Sequence, residues 1–194
     1  MATVVLDRDD MRRTLVRIAH EIVEKNPDGA VALVGIHRRG AVLARRLQAL
    51  TSELLEPGVP LGDVDISFYR DDLATRPASP VVHATHLDFR VDNKTIVIVD
   101  DVLYTGRTVR AAIDAVFDYG RPARVQLAVL IDRGHRELPI RPDYVGKNIP
   151  TSQDQRVYVC VDEVDGEDEV KIGPDLTKPT PPTADLTKPT HAAA

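Results

Sequence analysis

Several protein classes are excluded by what this sequence lacks. Its one cysteine, Cys160, rules out a disulfide within the 194-residue chain. Cys160 lies in the strand-like run Val157–Val161, where we expect a buried and unreactive thiol. No apolar run is long enough to cross a bilayer, and no basic and then apolar leader is present. We therefore expect a cytoplasmic protein without a membrane partner.

Acidic residues outnumber basic ones, which argues against broad binding to nucleic acid. The formal net charge is −5, from 25 basic and 30 acidic side chains. Six of the acids and no base lie between Asp162 and Glu169, so the rest of the chain carries a formal charge of +1. A local basic face is therefore compatible with the acidic total.

The order of the apolar segments indicates an α/β protein. The predicted elements are a helix from Asp7 to Asn26, a strand over Ala30–Ile36, a helix to about Leu50, a strand over Val64–Tyr69, a strand before Asp100, a helix over Arg107–Tyr119 and a strand over Val125–Ile131. These repeated units predict a mainly parallel sheet flanked by helices. Residues 1–173 form the predicted domain, and residues 174–194, rich in proline and threonine, form a predicted disordered tail.

The most informative segment is Thr95–Thr108, in which a β-branched run leads into two acids and then a Thr-Gly-Arg-Thr turn. The strand places Asp100 and Asp101 at its carboxyl end, where open α/β sheets bind ligands. The turn opens a helix, so its hydroxyl and N–H groups are suited to a phosphate. The acids can accept hydrogen bonds from sugar hydroxyls, so the segment predicts a ribose 5-phosphate site. The alternative is that both acids merely cap the helix.

Two further loops are candidates for binding phosphate groups. The loop His37–Gly40 lies between a strand end and a helix start and is suited to a second anion, although alone it could be an ordinary turn. The excursion 70–93 is long enough to close over such a site and bring Arg70 near a departing pyrophosphate, unless it is a hairpin without a chemical role. His83 and His86 have no third or fourth ligand nearby, so we expect no metal held by protein ligands alone.

The motifs VGIHRRG, ISFYRDDL, TIVIVDDVLYTGRT, DRGHRELPIR and YVGKN occur in this order, and together they closely resemble those of the bifunctional pyrimidine operon regulators. The resemblance covers about Val4–Ile172 and implies the type I phosphoribosyltransferase fold, with a small hood and a flexible loop. It implies that uracil and 5-phosphoribosyl 1-diphosphate (PRPP) react to UMP and pyrophosphate, with Mg²⁺ bound with PRPP. It also implies UMP-promoted binding to the leader mRNA of a pyrimidine operon, which attenuates transcription. We expect a homodimer or homotetramer.

The resemblance also implies a role for individual residues. The expected catalytic residues are Asp100, Asp101 and Arg70. PRPP and UMP would contact Asp100, Asp101, Val102, Leu103, Tyr104, Thr105, Gly106, Arg107 and Thr108. Pyrophosphate would contact His37, Arg38, Arg39 and Gly40. The base pocket would be bordered by Arg133 and Ile149. The RNA would contact Arg17, His20, Lys25, Arg141 and Lys147.

Two positions depart from the family pattern. Arg38 stands where many relatives have threonine, and Val16 stands where relatives can carry a hydroxyl group. Two other functions also fit the motifs. One is a nucleotide-sensing RNA-binding regulator with little catalysis, and the other is a purine phosphoribosyltransferase without an RNA partner.

Overall fold

The computed structural model of the protein describes residues 2–55, 58–67, 69 and 85–175. The helices of this part are α1 (Arg8–Lys25), α2 (Arg39–Ser52), α3 (Arg107–Phe117) and α4 (Asp162–Asp165). The strands are β1 (Thr3–Leu6), β2 (Val31–Ile36), β3 (Leu61–Val64), β4 (Thr95–Leu103), β5 (Arg124–Asp132), β6 (Tyr144–Asn148), β7 (Gln155–Cys160) and β8 (Glu169–Pro174). The predicted α/β alternation is confirmed.

The main sheet is parallel and has helices on both faces. Within the described residues its strand order is β3-β2-β4-β5-β6, with β4 at the centre. Along β4, Val97 and Val99 pack into the core below α1 and α2, whereas Ile96 and Ile98 pack into the core below α3. Both faces of β4 are therefore buried, which explains its unbroken apolar run.

The predicted strand over Val64–Tyr69 is wrong in its bounds, because β3 ends at Val64. The register pairs Ile36, the last residue of β2, with Val64, so β2 offers no further partner. Asp65 then turns the chain: its Oδ1 accepts hydrogen bonds from N of Ser67 at 2.8 Å and Oγ of Ser67 at 2.6 Å. A turn therefore follows where the sequence alternation predicted a strand.

Helix α1 begins and ends as its sequence predicts. Asp7 and Asp10 form a capping box, and the chain leaves the helix at Asn26. The predicted apolar positions are all buried, and they are Met11, Leu15, Ile18 and Ile22. The helix therefore presents one face to the core and leaves the opposite face in solvent.

A second, antiparallel sheet has the order β1-β8-β7 within the described residues and forms the small hood. The acidic segment Asp162–Glu169 connects β7 to β8 and contacts arginines of α2: Glu163 and Asp168 bond Arg46, and Asp165 bonds Arg39. Ion pairs therefore hold the hood against α2.

Some of the predicted features lie partly or wholly outside the described residues. Pro174 is the last residue of β8, and residues 176–194, most of the predicted tail, lie outside the described residues. Arg70 and His83, with the rest of 70–84, also lie outside them. Among the helices that the structure describes, none has the length and apolar character required to span a bilayer.

Candidate functional site

The two adjacent acids lie in the second half of β4 and differ in their surroundings. Asp100 is 6% exposed and pairs in register with Val129, while Asp101 is half-buried. Oδ1 of Asp100 accepts a hydrogen bond from N of Asp101 at 2.9 Å. Burial, followed by the charge of Asp101, raises the pKa of Asp100 well above its ordinary value. Asp101 is therefore the more accessible carboxylate, and Asp100 supports it from within.

The turn after β4 leaves the start of α3 open. Gly106 precedes α3 with φ of +95°, a conformation that favours glycine. The first turn of α3 contains no acidic residue, and its side-chain contact is a long hydrogen bond from N of Arg107 to Oγ1 of Thr105 at 3.4 Å. The alternative in which Asp100 and Asp101 cap this helix is therefore wrong. Free N–H groups at a helix start attract anions, so this turn is suited to a phosphate.

The connection between β5 and β6 supports this turn. The carbonyl oxygen of Thr105 accepts hydrogen bonds from N of Glu137 at 3.0 Å and N of Leu138 at 3.1 Å. Nε of Arg107 donates to Oε2 of Glu137 at 2.7 Å. A Cβ atom on Gly106 would lie 3.3 Å from Cδ1 of Ile140. The conformation of the turn therefore depends on residues some thirty positions later.

The loop at the start of α2 packs directly against the acids. A Cβ atom at Gly40 would lie 2.6 Å from O of Val99 and 3.2 Å from Cα of Asp100. Only glycine permits this approach, so the loop and the acids form one surface at the carboxyl edge of the sheet. The first turn of α2 likewise contains no acid and has no side-chain cap. The two predicted anion loops therefore face one site.

The side chains of the His37–Gly40 loop already have protein partners in two cases. Nε2 of His37 lies 2.5 Å from Oδ2 of Asp63, and Nδ1 of His86 lies 3.3 Å from the same oxygen. Nε and Nη2 of Arg39 donate to Asp165 at 3.0 and 2.7 Å. The peptide bond between His37 and Arg38 is cis. These side chains are therefore fixed before any ligand binds.

Arg133, one predicted border of the base pocket, is a buried connector. It donates to Oγ1 of Thr151 at 3.0 Å and to O of Gln155 at 2.7 Å, and it lies 4.1 Å from the ring centroid of Tyr104. Its hydrogen bonds go to the protein, so its side chain joins the end of β5 to residues 151–155. These contacts of Arg133 could not be predicted from the sequence, because its acceptors include backbone carbonyls. Ile149, the other predicted border, is also buried.

Arg136, one of the basic residues of the connection after β5, forms its bonds within the protein. Its guanidinium donates to O of Tyr104 at 2.9 Å, to O of Ile140 at 3.1 Å and to Oδ2 of Asp132 at 2.5 Å. These bonds join the end of β4 to the connection after β5. The motif DRGHRELPIR indicated basic residues here, but gave no sign that this arginine bonds within the protein.

The predicted RNA-binding residues of α1 lie beside β6. Nη2 of Arg17 donates to O of Val145 at 2.9 Å and O of Gly146 at 2.7 Å. Nζ of Lys25 lies 2.6 Å from Oδ1 of Asp143, just before β6. The structure thus brings the first helix and the basic connection onto one face.

The other predicted RNA contacts occupy the same region. Nζ of Lys147 donates to O of Val5 at 2.9 Å, and His20 and Arg141 are exposed. A groove of about 610 Å³ is lined by Asp132, at the carboxyl end of β5, and by Arg141, in the connection that leads to β6. This groove therefore runs from the site edge of the main sheet toward the basic face.

Cysteine and metal chemistry receive little support from the described residues. Cys160 is half-buried, and burial raises the pKa of its thiol, which disfavours the reactive thiolate. The part of the chain that the structure describes contains no group of three or more side chains placed to hold a metal ion.

Comparisons with known proteins agree with this geometry. A family model described as "Phosphoribosyl transferase domain" matches residues 4–163. The bifunctional protein PyrR of Roseiflexus sp. (strain RS-1) is 61% identical over 163 residues, 84% of this chain and 89% of that protein. PyrR of Thermus aquaticus is 56% identical over 169 residues, 87% of this chain and 93% of that protein.

Solved structures give the same fold at lower identity. A hypoxanthine phosphoribosyltransferase from Staphylococcus aureus superposes with a TM-score of 0.65, at 18% identity, over 87% of this chain and 90% of that one. A hypoxanthine phosphoribosyltransferase of Trypanosoma cruzi has a TM-score of 0.64, at 18% identity, over 88% and 95%. Identity this low supports the fold alone.

Proposed function

This chain belongs to the phosphoribosyl transferase domain family and, within it, to the bifunctional PyrR proteins, and we propose that one nucleotide site serves both of its activities. It is a uracil phosphoribosyltransferase and a pyrimidine operon regulator. The first activity converts uracil and PRPP into UMP and pyrophosphate, and the second binds regulatory mRNA. The observation that supports a single site is the close packing of Gly40 against Asp100. Because of this packing, the starts of α2 and α3 lie beside the same two acids.

Each part of PRPP has a matching element. The open start of α3 holds the 5′-phosphate, Asp101 accepts hydrogen bonds from the ribose hydroxyls, and the loop His37–Gly40 receives the pyrophosphate. Val102, Leu103 and Tyr104 supply the backbone that links the acids to the phosphate turn. This arrangement fixes the anomeric carbon between base and leaving group.

The reaction is a displacement at that carbon. A ring nitrogen of uracil gives up its proton to solvent and forms the new bond as the bond to pyrophosphate breaks, through a state with oxocarbenium character. The protein contributes by positioning both reactants and by stabilising the negative charge that develops on the leaving group. No side-chain nucleophile is required. Arg70, outside the described residues, remains our candidate for a further contact with pyrophosphate.

Phosphoribosyltransferases generally use Mg²⁺ with PRPP, and we propose the same here. Mg²⁺ typically keeps several waters and binds through one or two carboxylates together with substrate phosphates. Half-buried Asp101, beside two anion loops and without a further ligand cluster in the described residues, matches that pattern. When bound, the ion supplies positive charge to the pyrophosphate, while the helix starts and Arg39 supply their own.

Regulation uses the basic face of α1 and β6. Arg17, Lys25 and Lys147 are held in place by protein acceptors, so their charges are already arranged before RNA arrives. UMP in the nucleotide site promotes binding of the pyrimidine operon leader mRNA, and transcription is attenuated in the cytoplasm. A homodimer or homotetramer would present this face in more than one copy.

The test is equilibrium binding of a labelled pyrimidine operon leader hairpin at fixed, near-physiological salt. UMP, GMP and no nucleotide are compared, since salt strongly affects RNA affinity. We expect tighter binding with UMP. A parallel assay of pyrophosphate release with uracil, hypoxanthine or guanine identifies the base. Binding indifferent to UMP, together with turnover of a purine, would refute the proposal.

A further inference from the structure

Arg39, at the first position of α2, forms a bidentate ion pair with an acid of the hood. Its Nε lies 3.0 Å from Oδ2 of Asp165, and its Nη2 lies 2.7 Å from Oδ1. The two side chains are 35% and 20% exposed, so the pair is partly shielded from solvent. Such a fork fixes the plane of the guanidinium as well as its position.

Asp165 is itself held rigidly. Its Oδ2 accepts a hydrogen bond from N of Val161 at 2.9 Å, and its own N donates to O of Val161 at 2.7 Å. Val161 is fully buried at the end of β7. The carboxylate that orients Arg39 is therefore anchored to the hood core, not to a surface loop.

The anchored arginine lies close to the nucleotide site. Hydrogen bonding to Asp165, and then charge from Asp165 and Asp101, raise the pKa of Arg39 above its ordinary value. Gly40, the residue after Arg39, packs against the acids, since a Cβ atom there would lie 3.2 Å from Cα of Asp100. Within the described residues, Arg39 donates its side-chain hydrogen bonds through Nε and Nη2, and no acceptor is bonded to Nη1. One donor edge of Arg39 is therefore available to a ligand.

We propose that Asp165 is a positioning residue that aims Nη1 of Arg39 at the pyrophosphate group of PRPP. The inference rests on the proposed function, because it requires pyrophosphate in the His37–Gly40 loop. Pairing with Asp165 removes the cost of ordering a long flexible side chain when the ligand binds. The hood thereby takes part in holding the leaving group, although it lies outside the main sheet.

The chain contains a matched pair that serves as a control. Glu163, in the same four-residue helix α4, bonds Arg46 through Nε at 3.0 Å, and Arg46 is seven positions after Arg39 on α2. Both pairs join the hood to α2, but Arg46 also bonds Asp168 and lies two turns from the start of the helix. Replacing Glu163 should weaken the contact between the hood and α2 and leave the nucleotide site unchanged.

The experiment compares D165N with E163Q in the full chain. For D165N we expect the KM for PRPP and the calorimetric Kd for pyrophosphate with Mg²⁺ to rise about tenfold, the effect of one misplaced charge-assisted hydrogen bond. The KM for uracil should stay at the wild-type value. E163Q should leave all three constants unchanged and lower the unfolding temperature less than D165N does, because Arg46 keeps its bond to Asp168.

Equal constants in D165N, E163Q and wild type would overturn the positioning role while leaving the phosphoribosyltransferase intact. Tighter binding of PRPP to D165N would also overturn it, because Asp165 would then compete with pyrophosphate for Arg39. If wild type turned over no PRPP, the ratio of the calorimetric Kd values for pyrophosphate in D165N and wild type would still test the positioning role. If wild type neither bound nor used PRPP, the proposed function and this inference would fail together.

Discussion

Replacing Gly40 by alanine tests whether the pyrophosphate loop packs against the acids. Glycine to alanine inside a helix ordinarily stabilises by about 0.5–1 kcal/mol. Here the new Cβ would lie 2.6 Å from O of Val99 and 3.2 Å from Cα of Asp100. Both atoms belong to β4, which is hydrogen-bonded on each side to β2 and β5 and cannot withdraw. The loop must move instead.

At Gly40 we therefore expect alanine to destabilise the protein, the opposite of its ordinary effect inside a helix. Overpacking costs about 1–3 kcal/mol, so Gly40→Ala should lower the free energy of unfolding in spite of the gain in helix propensity. A displacement of a few tenths of an ångström to 1 Å in a substrate-positioning loop can reduce the rate by about 10²-fold. Denaturant unfolding and PRPP-dependent formation of UMP measure the two effects.

Gly146 provides the matched control. A Cβ atom there would lie 2.3 Å from O of Leu130 and 2.7 Å from Cγ2 of Thr14, so the crowding is comparable. Gly146 lies in β6 beside α1, away from the acids, so Gly146→Ala should lose stability, disturb RNA binding and spare the KM for PRPP. A Gly40→Ala protein with raised stability and wild-type kinetics would refute the packing described here.

Three further substitutions test the acids and the basic face. Asp101→Asn should lower PRPP-dependent turnover by about 10²-fold, and unchanged steady-state kinetics would exclude its ribose role. Burial raises the pKa of Asp100, so the native state binds more protons than the unfolded chain and loses stability as pH rises above 3.8. Asp100→Asn should therefore gain stability relative to wild type as pH rises above 3.8 in urea unfolding, and a difference that does not change with pH would contradict this. Arg17→Gln should weaken RNA binding and flatten its salt dependence while sparing catalysis, whereas an identical salt slope would remove Arg17 from the interface.

The central strand and the phosphate turn could be predicted from sequence because their information is local. Thr95–Thr108 contains the strand, both acids and the helix start in fourteen consecutive residues. The burial of Asp100 was not predictable in this way, because it depends on Gly40, sixty positions earlier. The strand predicted at Val64–Tyr69 failed for the same kind of reason, since its end is set by the length of β2.

The acidic segment Asp162–Glu169 is a second feature whose role could not be predicted from the sequence. In the sequence analysis this segment served only to show how the net charge is distributed. In the structure, three of its acids form ion pairs with two arginines of α2. Arg39 and Arg46 are seven residues apart, which places them on one face of a helix, and that spacing was the available signal. Their partners lie 117 to 126 positions later, so the pairing itself required the fold.

The connection between β5 and β6 explains how one chain can combine two activities. Near its start, N of Glu137 and N of Leu138 hold the carbonyl of Thr105, and Arg136 holds the carbonyl of Tyr104. Its later part carries exposed Arg141 and leads into β6, whose carbonyls accept hydrogen bonds from Arg17 of α1. One segment therefore links the turn at Thr105 to the basic face. A ligand shifts RNA affinity only through interactions that differ between the free and bound states, and we expect this connection to contain such interactions.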